Sequence, residues 1–299
     1  MIKGLLMSAM VFAMPTPGEK ALKEINPGSF NQQLVSREKY EDRDSVGPRI
    51  YEDIVLDTTA GKTHITISYP KQMPKEGLSC IFVIGGLETG RKSLRLVPEH
   101  GNYILISYEY PSIIKKVKKP YSIFIMPRIR RAVLNVAGQV NNALQWLQTQ
   151  DFCKNTPPAM IGVSFGSVFL PAIMHLGDTY NMQYGPTVFG YGGAGIRCLF
   201  RANMPGPKFW KSLSSKFLAR VFHPIEPALH LPYISGNFLI VNGTQDKQIP
   251  EPCVKKLQEL VPDPKEIVEL DRDHLQPDNP VLIGELVDIS RNWLKKQGV

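Results

Sequence analysis

The sequence predicts an α/β fold, with a mostly parallel central sheet of about eight strands, helices on both faces and a small cap segment. Three observations predict it. Short, wholly apolar runs alternate with longer segments whose apolar residues recur at helical spacing. Two alternating runs joined by Thr59-Ala60-Gly61 read as an antiparallel hairpin ahead of them. The 299 residues contain no linker-like stretch and no internal repeat, which suits one large domain.

The elements follow in order. Pro15 to Gly47 is polar and weakly periodic, so residues 14–47 are expected as an irregular lead-in to a domain spanning 48–299. Arg49–Leu56 and Thr63–Tyr69 make the hairpin, and the alternation in the second gives it one buried face. Cys80–Ile84 and Tyr103–Tyr108 are continuous apolar runs, as strands buried on both faces are. Arg128–Gln150 is the clearest helix: Val133, Val136, Ala137, Val140, Ala143, Leu144 and Leu147 share a face, and Pro127 stands at its start. Ala159–Val163 is a strand, and the helix after it runs to about Leu176 with Pro171 inside, where a kink is expected. Thr187–Tyr191, Phe238–Val241 and Glu266–Leu270 complete the strands, and Val281–Lys296 is a closing amphipathic helix. Residues 196–233 fall outside this alternation and are expected to cap the carboxyl ends of the strands, where open α/β sheets bind ligands.

Composition is ordinary for a globular chain, with 43% hydrophobic and 21% charged residues. The net charge of +8 is unevenly placed. Pro111–Gln150 and Gly195–Ile225 contain no Asp or Glu and together hold thirteen Lys and Arg, so the remainder is net acidic. Cys80, Cys153, Cys198 and Cys253 are widely spaced, without C-x-x-C or zinc spacing, and Cys80 reads as a small core residue. At the N-terminus Lys3 precedes an apolar run, Gly4–Met14, that is too short to span a bilayer. Residues 1–13 are expected as a signal peptide cleaved near Ala13, which places the protein in the periplasm or outside the cell. The alternative is a surface-packed or disordered segment of a cytoplasmic protein. No other stretch reads as a transmembrane helix.

The chemistry starts at Gly162-Val163-Ser164-Phe165-Gly166, a G-x-S-x-G between an apolar strand and a helix. A sharp turn there lifts the serine hydroxyl off the strand end, and the helix N-terminus favours developing negative charge. A serine nucleophile needs a base. Of the six histidines, His64 lies in an early strand, and His175, at a helix end, reads as a cation favoured by the helix C-terminus. His223 and His230 precede the penultimate strand, which is too early for the order serine, acid, histidine. His274 follows the last strand and is the candidate base. Asp246, just past the penultimate strand, is the candidate acid that orients it, with Asp271 and Asp273 as second choices. The two N–H donors for an oxyanion are expected from Phe165 and from Gly86 or Leu87.

These segments carry a resemblance. Val83-Ile84-Gly85-Gly86, Gly162–Gly166, Phe238–Pro250 and Asp273-His274-Leu275 together resemble the α/β-hydrolase superfamily from about Ile54 to Trp293. The third segment is similar to the strand-and-acid signature of dienelactone-hydrolase-like and peptidase-like members. The resemblance implies the α/β-hydrolase fold and acyl transfer to water through an acyl-serine. The chain departs from the pattern where Ile84 and Asp273 stand in place of a common histidine and a common glycine. The leading expectation is a carboxylic ester hydrolase, without cofactor or metal. A thioesterase or acyltransferase would use the same three residues, and a catalytically silent ligand-binding relative is the alternative of a different class.

Two other motifs are set aside. Gly190–Gly195 matches G-x-G-x-x-G, but no acid follows at the offset of about 20 residues that ribose binding needs. Asn242-Gly243-Thr244 matches a glycosylation sequon, yet it sits at a buried strand end. The expected partner is an ester or thioester substrate, and nucleic acid is not expected. The cations of Lys115–Arg131 mix with Ile113 and Ile114 just before them and with Val117, Tyr121, Ile123, Phe124, Ile125 and Met126. That mixture reads first as a solvated basic surface whose apolar residues pack beneath a lid. The second reading is attraction of an anionic, amphiphilic substrate or an anionic membrane.

Overall fold

The computed structural model describes residues 15–44, 47–74, 77–118, 120–150, 153 and 156–299. Helix α1 (Pro17–Ile25) leads into β1 (Gln32–Arg43), β2 (Pro48–Thr58), β3 (Thr63–Pro70), β4 (Cys80–Ile84) and β5 (Ile104–Glu109). Then come α2 (Ser112–Lys115), α3 (Met126–Gln148), β6 (Ala159–Val163), α4 (Phe165–Asp178) and β7 (Thr187–Gly190). The chain continues through α5 (Ile196–Asn203), α6 (Lys208–Val221), α7 (Pro227–His230), β8 (Phe238–Gly243), α8 (Glu251–Leu260), β9 (Lys265–Leu270) and α9 (Pro280–Lys296).

The strands form one sheet in the order β1-β2-β3-β5-β4-β6-β7-β8-β9. The first three run antiparallel, β3 meets β5 antiparallel, and every pair from β5 to β9 is parallel. The hairpin register pairs Ile54 with Ile65. Alternation along β4 sends Phe82 and Ile84 to one face and Ile81 and Val83 to the other. The first face packs under α3 and α4, through Val136, Val140, Phe169 and Ile173. The second packs under α9, through Leu282, Leu286 and Trp293.

The lead-in is not irregular. Thr16 and Glu19 close a capping box at the start of α1, with Pro17 in its first turn. β1 is a ninth strand, on the sheet edge. Its sequence hides it, because an edge strand wetted on both faces has no reason to alternate apolar and polar residues. It is held instead by pairing to β2, with a register shift between Leu34 and Ser36, and by the Arg37–Glu52 ion pair at 2.6 Å.

Cys80 is buried in the core, as expected, and the pairing of the four cysteines is new. Cys80 is bonded to Cys153, and Cys198 to Cys253, so no described cysteine is free. The first bridge ties the start of β4 to the segment after α3, and the second ties α5 to α8. Wide sequence spacing gave no sign of either, since both partners meet only in three dimensions. His175 is a second correction. It is buried, not a helix-end cation. His230 Nε2 donates to the Pro224 carbonyl at 2.8 Å, which leaves its Nδ1 to accept from His175 Nδ1 at 3.0 Å. The Tyr233 ring stacks on His175 at 4.3 Å. Burial lowers the pKa of both histidines, that of His230 to about 4.

Candidate active site

β6 ends at Val163 and α4 begins at Phe165, so Ser164 alone makes the turn between them. Its φ of 52° and ψ of −114° lie outside the regions that side chains favour. The neighbours hold it there: Ser164 N–H donates to the Gly190 carbonyl of β7 at 2.8 Å. The flanking glycines are required by close approach. A Cβ on Gly166 would stand 1.9 Å from the Ile84 carbonyl oxygen, and one on Gly162 would stand 2.8 Å from the Ser167 Cα. The helix therefore sits directly against the end of β4.

His274 lies in the loop after β9, and Asp246 in the loop after β8, both buried. Asp246 Oδ2 accepts from His274 Nδ1 at 2.6 Å. With that nitrogen donating, Nε2 carries the free lone pair, and it faces Ser164 Oγ at 3.0 Å. The other carboxylate oxygen of Asp246 accepts the backbone N–H groups of Gln248 and Ile249 at 2.7 and 2.9 Å, so the carboxylate cannot rotate freely. The second-choice acids bond elsewhere. Asp273 accepts the backbone N–H of His274 at 2.7 Å, and Asp271 accepts from the Gln245 amide at 2.7 Å.

A cavity of about 1200 Å³ opens on this relay. Gly85, Gly86, Leu87 and Phe165 share its wall with Ser164 and His274. Phe165 is the first residue of α4, where a helix leaves its N–H groups without intrahelical partners. The rest of the wall is mainly apolar: Ile129 and Val133 of α3, Leu199 and Phe200 of α5, Leu218 of α6 and Leu286 of α9 among others. The segment expected as a cap thus contributes α5 and α6 to the cavity that holds Ser164. From the two basic segments mainly apolar residues line the cavity, Ile114, Val117, Leu199 and Phe200 among them, and none of the described cations of either segment does.

Sequence reasoning missed Tyr191. Its φ is 50°, its ring meets that of His274 edge-on at 5.8 Å, and its buried hydroxyl has no partner among the described residues. Burial pushes its pKa up to about 12. The glycines around it were legible as a turn, but nothing local says that a tyrosine in that turn backs the histidine.

The set-aside motifs have structural reasons. The N-terminus of α5, where a phosphate would bind after G-x-G-x-x-G, is filled by Glu226: its carboxylate accepts from Gly195 and Ile196 N–H at 2.7 and 2.6 Å. Asn242 is buried in β8 and donates to the Gly192 carbonyl at 2.9 Å. Among the described residues no group of three or more His, Cys, Asp or Glu could hold a metal ion, and no helix is long and apolar enough to cross a membrane. The expected signal segment, 1–13, lies outside the described residues.

No protein-family model matches the sequence, and no curated protein sequence is similar to it. Solved structures are similar. Acetyl xylan esterase 1 from Thermoanaerobacterium sp. aligns at a TM-score of 0.62 with 12% identity, over 91% of this chain and 90% of that one. An esterase of Pyrococcus furiosus aligns at 0.53 with 14% identity, over 97% and 96%. Dienelactone hydrolase from Anabaena variabilis aligns at 0.51 with 14% identity, over 87% and 98%. Alignment over most of this chain and of each of those chains leaves one conclusion: this chain has the fold of the α/β-hydrolases.

Proposed function

We propose that the protein is a serine hydrolase of carboxylic esters. The observation that carries this reading is the relay of Ser164, His274 and Asp246, with hydrogen bonds of 3.0 and 2.6 Å, at the wall of a large apolar cavity. Ser164 Oγ attacks the ester carbonyl carbon while His274 Nε2 takes its proton. The carbonyl oxygen gathers the negative charge and is met by the N–H of Phe165 and that of Gly86 or Leu87. His274, now charged and steadied by Asp246, gives the proton to the departing alkoxide. An acyl-serine is left, and a water molecule, deprotonated by the same ring, releases the acid and restores the serine. The similarity to esterases of the same fold supports the ester reading. The apolar wall favours an amphiphilic ester with an uncharged acyl group over a small polar one.

Export is part of the same proposal. Four cysteines joined in two disulfides suit a compartment that does not reduce them.

A fluorophosphonate probe tests the central step, because it reacts only with a serine activated in this way. The expected result is a single covalent adduct on Ser164 in the folded protein, and none on Ser164→Ala. Folded wild-type protein that stays unlabelled would leave a ligand-binding protein instead of a hydrolase.

A further inference from the structure

Helix α6 is apolar on two sides. It buries Ser215 and Leu218, and Leu218 helps to line the cavity. On its outer side Phe209, Trp210, Leu213 and Phe217 are 70%, 58%, 52% and 45% exposed. Phe209, Leu213 and Phe217 recur at every fourth residue and so form one stripe, with Trp210 beside it. The Phe209 and Trp210 rings meet edge to face at 5.6 Å. A surface helix normally turns polar residues to water opposite its buried stripe, so this outer stripe has a separate cause.

Cations surround the stripe. Lys216 and Arg220 share the outer side of α6, and Lys208, Arg197 and Arg201 are exposed close by in the chain. No acid occurs from Gly195 to Ile225, and none of the six cations of this stretch forms an ion pair with a described residue. A further exposed apolar residue precedes α3, a helix that is bonded to the end of α6. Phe124 is 86% exposed and precedes α3, and Arg130 in the first turns of α3 donates to the Val221 carbonyl at 3.0 Å.

We propose that α6 docks the protein on an anionic lipid bilayer. Phe209, Trp210, Leu213 and Phe217 would enter the boundary between headgroups and acyl chains, while Lys216, Arg220 and their neighbours meet lipid phosphates. The outer stripe carries no side-chain hydrogen-bond acceptor, so it offers a shaped protein partner little to read. A bilayer requires only apolar insertion and positive charge. The surface does not use Ser164, so this proposal stands or falls apart from the catalytic one.

Trp210 provides the probe, because the other two tryptophans, Trp146 and Trp293, are buried. The full chain is mixed with vesicles of phosphatidylcholine alone or with roughly one third phosphatidylglycerol. On the anionic vesicles the protein should co-sediment at least about tenfold more and its emission should move to shorter wavelength. Trp210→Phe should abolish the spectral shift. Phe209→Ser with Leu213→Ser, and separately Lys216→Glu with Arg220→Glu, should lower sedimentation about fivefold or more, with melting temperatures unchanged. Raising salt from about 0.1 M to about 1 M should release the protein, since the Debye length falls from about 10 Å to about 3 Å. Equal behaviour on the two vesicle types overturns the proposal, as does unshifted emission. A dimer in solution that Phe209→Ser disperses, without vesicle binding, also overturns it, because a second copy then covers the stripe. If a double variant fails to fold, the wild-type comparison of lipids and the Trp210 emission still decide.

Discussion

Single residues divide here into those whose role is local and those whose role is set by a distant partner. Ser164 was legible because the strand, the turn glycines and the helix that shape it are contiguous. His274 and Asp246 were legible only through chain order, which placed each after a strand of a sheet with a known edge. His175 and Tyr191 were not legible, because burial beside His230 and beside His274 is a property of the folded packing. The candidate site makes a sharp residue-level contrast. Ser164→Ala and His274→Ala should lose on the order of 10⁴-fold or more in kcat/KM for an aryl ester. Asp246→Asn should be severely impaired, since it removes the carboxylate that fixes the ring, while Asp273→Asn should stay near wild type. Loss in Asp273→Asn with none in Asp246→Asn would reassign the acid.

The buried histidine pair sets a pH dependence of stability. His230 stays neutral in the fold down to about 4, against an ordinary value of 6.5 when unfolded. Between those values the unfolded chain binds more protons than the folded one. Its contribution is therefore whole above about pH 6.5 and declines as pH falls toward 4, by on the order of 3 kcal/mol in total. The lowered pKa values of His175 and His100 act in the same direction. Urea midpoints should be flat from about pH 8 to 7 and fall steadily below 6.5, and His230→Gln should flatten part of that slope. A midpoint that rises on acidification would contradict the neutral pair.

At the scale of elements, the long helices and the buried strands were readable because their periodicity is strong, and α3 and α9 lie within two residues of their expected bounds. The start of α1 carried a readable capping box, Thr16 to Glu19, in a stretch otherwise too polar to suggest a helix. The edge strand β1 had no such mark. The placement of α5 depends on Glu226, which reaches back about thirty residues to take the first N–H groups of that helix and also accepts from Ala228 N–H at 3.3 Å. Glu226→Ala leaves those donors without a partner and should cost about 1–3 kcal/mol in stability. Because Leu199 and Phe200 of α5 line the cavity, it should also raise KM for a long-chain ester more than for an acetyl ester. Equal KM changes for the two would mean that α5 is held independently of its cap.

For the molecule as a whole, the two disulfides are the feature that sequence could not supply, since four cysteines allow three pairings and no pairing at all. They close loops with separations of 73 and 55 residues. Loops of that size are worth about 2–4 kcal/mol each through the unfolded chain. Reduction with dithiothreitol should therefore lower the melting temperature by roughly 10 °C, and mass spectrometry of unreduced protein should find the Cys80–Cys153 and Cys198–Cys253 peptides paired. Free thiols in protein from its native source would argue against export.

A sheet that does not close on itself leaves two outer strands, β1 and β9, each with a row of backbone donors and acceptors that no strand among the described residues pairs. Such rows are templates on which another molecule can add a strand. Here both are guarded. β1 mixes three cations and three anions from Arg37 to Arg43 and is thrown out of regular register between Leu34 and Ser36, while β9 sets Glu266 and Glu269 on either side of its exposed Ile267. An approaching strand would have to bury those charges or match them one for one. The polar residues that concealed β1 as a strand are the same ones that would oppose the addition of another strand along this edge.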